Sequence, residues 1–147
     1  MFICDISVLN KYGKQKIDDM LIKYNIDWRI MVVILVMDQI PGVSQARLIP
    51  FLQTDKGNVT RIIQCMEKKG IIYRKADTID QRYKLCCLTN EGLKLIPELK
   101  KILKQWEEEC FSGLTKEEVV LYRKVNEIIT NNLVGEWEEE GNSSCLK

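Results

Sequence analysis

A chain of 147 residues, 46% hydrophobic and 29% charged with only 8 Gly and 3 Pro, has the size and composition of one folded domain carrying at most helical extensions. Its 22 basic residues nearly cancel its 21 acidic ones, and a net charge of +1 supplies no bulk attraction to nucleic acid or membrane, so any such attraction must be local. Histidine is absent, which excludes imidazole general-base catalysis, Ser-His and Cys-His nucleophiles and every His-ligated metal or haem.

Catalytic residues, cofactors and metal sites are therefore not expected. The six cysteines, Cys4, Cys65, Cys86, Cys87, Cys110 and Cys145, form no C-x-x-C pair, and most of them read as reduced, small hydrophobes. The apolar run Ile30 to Met37 is far short of the roughly 20 residues of a membrane span. Met1 to Asn10 shows no basic leader followed by an apolar stretch, so the expectation is a cytoplasmic protein without a membrane partner.

In chain order, Ile17, Met20, Leu21 and Tyr24 recur at helical spacing and predict a first helix in the region from Lys14. Asp27 is a good N-cap for a second element, Arg29 to Met37, whose β-branched run fits a helix or a strand. Pro41-Gly42 ends it. After Ser44, the residues Leu48, Ile49, Phe51 and Leu52 predict a short helix stopping near Asp55. Val59, Ile62, Ile63 and Met66 predict the next helix, with Gly70 as its C-terminal cap, and the pair reads as a helix-turn-helix.

Ile71 to Lys75 and Tyr83 to Leu88 predict the strands of a β-hairpin, with the polar stretch Asp77 to Arg82 as its tip. Cys86 and Cys87, adjacent in a strand, should point to opposite faces. Thr89 caps a long helix to about Ser112, with Leu93, Ile96, Leu99, Leu103, Trp106 and Cys110 along one side and a bend at Pro97. Thr115 and Glu118 form a capping box for a final helix, Lys116 to Leu133, and a mobile acidic tail follows. The fold class is thus mainly α with a small β-hairpin wing: a winged helix-turn-helix core at 28–92, flanked by helical regions at 1–27 and 93–134, with the tail at 135–147. The apolar faces Ile17, Met20, Leu21 and Val125, Ile128, Ile129 exceed what the small centre can bury, which predicts a homodimer.

Charge is concentrated between Lys56 and Lys84, where eight basic residues face three acidic ones, a local balance of +5. A basic helix followed by a basic hairpin is the electrostatic footprint of a surface for double-stranded DNA. On the helix, Lys56, Asn58, Thr60, Arg61 and Gln64 are the polar residues near its start. Arg61 is suited to guanine, and Asn58 or Gln64 to adenine. Lys68, a turn further on, and Lys84 on the hairpin are expected at the DNA as well, Lys68 at phosphates. Arg82 at the hairpin tip suits a narrow minor groove, oriented by Asp80 or simply paired with it.

These segments carry a resemblance. Residues Asp55 to Gly70, D-K-G-N-V-T-R-I-I-Q-C-M-E-K-K-G, are similar to the recognition helix of the MarR family of bacterial transcriptional regulators, and Asp80-x-Arg82 followed by Leu88-Thr89-x-Glu91-Gly92 resembles that family's wing and next helix. The resemblance implies a homodimer built from both terminal regions, an operator-binding winged helix in each subunit, and release by a small effector or by cysteine oxidation. It also implies that Arg29 to Met37 is a helix. Thiol-sensing members keep a reactive cysteine about where Cys4 stands, although the neighbouring Asp5 raises a thiol pKa. Tyr24, Trp28 and Trp106 fall where the resemblance implies a ligand cleft.

Three positions depart from the family pattern, Pro50 within the first helix of the pair, Gln53-Thr54 in place of a Gly-apolar turn, and Gly57 on the DNA side, and Pro50 and Gly57 together with the net charge of only +1 motivate an alternative. That alternative is a winged-helix protein-interaction module without specific DNA binding.

Overall fold

The computed structural model describes residues 1–78 and 84–134. They form α1 (Phe2–Leu21), a 3-10 turn (Ile22–Tyr24), α2 (Trp28–Gln39), a second 3-10 turn (Gln45–Leu48), α3 (Ile49–Leu52), α4 (Lys56–Lys68), strands β1 (Ile72–Ala76) and β2 (Lys84–Leu88), α5 (Asn90–Cys110) and α6 (Lys116–Val134). The chain divides into two compact units, Met1–Trp106 and Glu107–Lys147.

In the first unit, α2 resolves the ambiguity of Arg29 to Met37 in favour of helix. Asp27 caps it by accepting from the backbone N–H of Arg29 and Ile30. Ile30, Met31, Val33, Ile34, Val36 and Met37 are all buried, so the helix is apolar nearly all round and shows no stripe for periodicity to detect. Around it Leu21, Leu48, Ile63, Met66 and Leu99 complete one core.

Helix α1 begins at Phe2, a dozen residues before the expected Lys14; the apolar residues of its first half are exposed, so no buried stripe marks this stretch. The expectation that Ile17 and Leu21 are left uncovered is overturned: both are buried in this unit, at 5% and 0% exposure. Where one short helix was expected after Ser44, there is a 3-10 turn followed by one α-helical turn. Pro50 stands in the first turn of α3, where a missing N–H costs nothing. Gln53 then takes the left-handed conformation, φ +49°, that usually falls to glycine, and its side chain donates to the Pro50 carbonyl.

The hairpin is antiparallel, in the register Ile72 with Leu88 through Ala76 with Lys84. The Cys86 N–H donates to the Val43 carbonyl, and Ser44 bridges Leu85, so the residues after α2 lie along the other edge of β2. As alternation demands, Cys86 is buried and Cys87 only half-buried.

Thr89 joins three elements. Its hydroxyl accepts from the Gly92 N–H, capping α5, and donates to the carbonyl of Gly70, 2.6 Å away. Helix α5 continues through Pro97 and buries Gly92, Ile96, Leu99 and Ile102. Leu103 and Trp106 are half-buried, whereas Leu93 and Cys110 of the expected stripe are exposed.

In the second unit, the Thr115–Glu118 capping box is formed reciprocally: the Thr115 N–H donates to Glu118 Oε2 at 2.7 Å, and the Glu118 N–H donates to Thr115 Oγ1 at 3.2 Å. Phe111 meets Tyr122 edge to face at 5.5 Å, and Arg123 reaches Glu107. No described residue of α6 is buried.

Candidate nucleic-acid interface

Helix α4 is built from local signals at both ends. Asp55 caps its start, accepting from the Asn58 N–H at 2.9 Å, a bond that holds the Asp55 carboxyl below the usual carboxylate range. At its end Gly70, with φ +68°, turns the chain while its N–H donates to Glu67 and that of Ile71 donates to Met66, the two bonds of a Schellman cap.

Between the caps, Val59, Ile62, Ile63 and Met66 are buried. Gly57, Arg61, Gln64 and Lys68, spaced four, three and four residues apart, are exposed on the opposite side with Lys56 at the helix start. Arg61, Gln64 and Lys68 make no hydrogen bond or ion pair with another described residue, so their donors face solvent. Lys75 and Lys84 are exposed on the hairpin strands. Asp80 and Arg82, the expected wing pair, lie outside the described residues.

Four other polar residues of this region are occupied within the fold. The Asn58 amide donates to Asp55 Oδ2 at 2.7 Å and to Thr54 Oγ1 at 3.1 Å, so the residue expected at adenine serves the helix cap. Thr60 donates to the Lys56 carbonyl and accepts from Gln45 Nε2, which ties α4 to the preceding 3-10 turn. Lys69 donates to the carbonyl of Asn25 at 2.7 Å. Arg74 on β1 grips Glu67 on α4 with two bonds, Nε to Oε1 at 2.9 Å and Nη2 to Oε2 at 2.7 Å. Gln45 and the Glu67–Arg74 pair were not singled out by sequence. Their only signal there is residue type, since the partner is set by how elements pack.

Gly57 has a local reason. A Cβ at this position would stand 3.0 Å from Asp55 Oδ1, so the glycine leaves room for the capping carboxylate.

The aromatics expected to line a ligand cleft are engaged in packing. Trp106 donates its indole N–H to the Gly13 carbonyl at 3.0 Å, Tyr24 donates to Glu98, and Lys14 Nζ lies 4.2 Å from the Trp28 ring centre. A cleft of about 550 Å³ in the same unit lies elsewhere, between Met37 and Pro41 at the end of α2, the outer hairpin face of Tyr73, Lys75 and Leu85, and Leu93 of α5. Cys4 is exposed on α1. Burial pushes the Cys86 thiol up to about 11. Among the described residues no group of three or more Cys, Asp or Glu is placed to hold a metal ion, and no helix is long and apolar enough to cross a membrane.

Residues 29–84, the segment holding this surface, match the model of the MarR family. The transcriptional regulator PapX of Escherichia coli is 29% identical over 110 residues, which are 75% of this chain and 65% of PapX, so the match spans just under two thirds of that relative. The structure of a MarR transcriptional regulator from Methanosarcina mazei Go1 is 30% identical, covers 90% of this chain and 96% of its own, and superposes with a TM-score of 0.79. The fold is shared also with MepR of S. aureus, solved as a DNA complex, at a TM-score of 0.83 and 24% identity over 90% of this chain and 98% of that one.

Proposed function

Because the chain belongs to the MarR family of winged-helix transcriptional regulators, we propose that it is a homodimeric, sequence-specific DNA-binding regulator whose α4 enters the major groove. The observation that carries this reading is the exposed stripe Arg61, Gln64 and Lys68, with donors left free by the fold, directly opposite the buried stripe that holds the helix. Arg61 and Gln64 read bases; Lys56, Lys68 and Lys84 hold phosphates; Arg82 enters the minor groove beside Asp80. Asn58 and Thr60 act from within, through the cap and the Gln45 bond.

Exposed apolar side chains support the dimer. In the first unit these are Phe2, Ile3, Leu9 and Tyr12 on α1; in the second they are Leu121, Val125 and Ile128 on α6. Two-fold symmetry then sets half-sites about 10 bp apart, centre to centre, in a pseudo-palindromic operator. Release by a small effector acts through the region of Tyr24, Trp28 and Trp106, or through oxidation at the exposed Cys4.

The test begins with selection of duplexes by the full chain from a random-sequence library. Arg61→Ala should cost about 1–3 kcal/mol on the selected duplex and narrow the gap to scrambled DNA. Lys68→Ala should weaken both alike and flatten the dependence of log affinity on log salt by about one unit. Enrichment of no sequence, or variants that bind as the parent does, would hand this surface to the protein-interaction alternative.

A further inference from the structure

The basic residues counted between Lys56 and Lys84 are not equivalent in the fold. Arg74 stands at the centre of β1, paired in register with the buried Cys86, and turns towards α4. Its guanidinium meets the Glu67 carboxylate through two separate nitrogens, the fork-on-fork arrangement that fixes direction as well as distance. Both side chains are three-quarters or so shielded, with 25% and 29% exposure. Glu67 sits a single residue from Lys68 at the end of the helix, so the pair joins the last turn of α4 to the middle of the first wing strand.

We propose that Arg74 and Glu67 form a positioning clamp that sets the angle of the hairpin to the recognition helix, so that helix and wing engage one DNA site together; Arg74 is thereby a positioning residue and not a phosphate contact. The inference rests on the DNA-binding reading above. One feature supports it beyond distance. The backbone and Thr89 bonds between α4 and the hairpin lie at their junction, where the Ile71 N–H donates to Met66 and the Thr89 hydroxyl to Gly70, whereas among the described residues the Glu67–Arg74 fork bonds the last turn of α4 to the middle of β1.

The experiment exploits the sign of a charge change. Glu67→Gln removes a negative charge from a DNA-binding surface, which on electrostatics alone tightens binding. A clamp requires the reverse: binding of the full chain to its library-selected duplex falls about tenfold, roughly the worth of one misaligned base contact, while binding to scrambled DNA does not fall. Arg74→Lys keeps the charge but loses the fork, and should show the same loss with the salt slope unchanged within a few tenths. The double variant should be no worse than either single one, because one interaction is being removed.

Thermal midpoints are measured alongside. If Arg74→Lys fails to fold, Glu67→Gln decides alone. Glu67→Gln binding the selected duplex as tightly as the parent or tighter would overturn the clamp, as would Arg74→Lys behaving as the parent. Failure of the parent to enrich any duplex would instead bring down the DNA-binding reading, and the clamp with it.

Discussion

Gly92 shows how one position in a motif acquires a cause. Within Leu88-Thr89-x-Glu91-Gly92, a Cβ at position 92 would lie 2.3 Å from the carbonyl oxygen of Ile71, an atom of the backbone that cannot swing aside. Helix α5 can start against the end of α4 only if this residue has no side chain. Gly92→Ala should destabilise the fold by about 1–3 kcal/mol or more despite the better helix propensity of alanine, as a lower midpoint in chemical denaturation will show. A substitution that left the midpoint unchanged would mean that α5 is docked less closely. Cys86 offers a second test at this scale. With its thiol raised to about 11 against an ordinary value near 9, the folded state holds its proton where the unfolded chain has lost it. Stability contributed by this group is complete below about pH 9 and falls as pH rises towards 11, by at most about 1.4 kcal/mol per pH unit. Comparing the pH dependence of unfolding with that of Cys86→Val isolates the contribution, and equal slopes above pH 9 would refute it.

At the scale of elements, what was legible in the sequence follows from the range of the interactions involved. The caps at Asp27, Gly70, Thr89 and Thr115 are readable because each partner lies within a few residues. The polar face of α4 was readable in part. Arg61, Gln64 and Lys68 are exposed as their spacing demands, but the reading of Asn58 rests on residue type, and type does not reveal a competing partner inside the protein. Lys69 bonds the carbonyl of a residue 44 positions earlier, and Trp106 one 93 positions earlier. Sequence spacing carries no information about such pairs; only packing does. Helix α1 illustrates a different failure, for its first half shows exposed apolar residues, and a method that looks for a buried stripe finds none. Pro50, by contrast, looked out of place only while the helix around it was drawn too long.

At the scale of the whole molecule, the described residues leave apolar side chains uncovered. On α6, Val120, Leu121, Val125, Ile128 and Leu133 are 43–71% exposed, more than a water-facing helix needs. Sedimentation at micromolar concentration should find a dimer, and Ile128→Glu should shift it towards monomer by placing a charge where the partner's apolar surface must lie. A monomeric parent would refute the assembly. Overall charge could not reveal the basic surface, because a net value of +1 averages a local +5 against acidic residues elsewhere.

The separation of roles on α4 has a consequence for how this protein can evolve. Val59, Ile62, Ile63 and Met66 hold the helix, while Asp55, Asn58, Thr60, Glu67 and Lys69 tie it to its surroundings. Gln64, Arg61 and Lys68 do neither. Exchanges at those three positions leave stability almost untouched, since exposed sites without partners tolerate substitution within about 0.5 kcal/mol. On the DNA-binding reading proposed above, sequence preference can therefore drift through Arg61 and Gln64, and overall affinity through Lys68, one side chain at a time along a path on which every intermediate still folds.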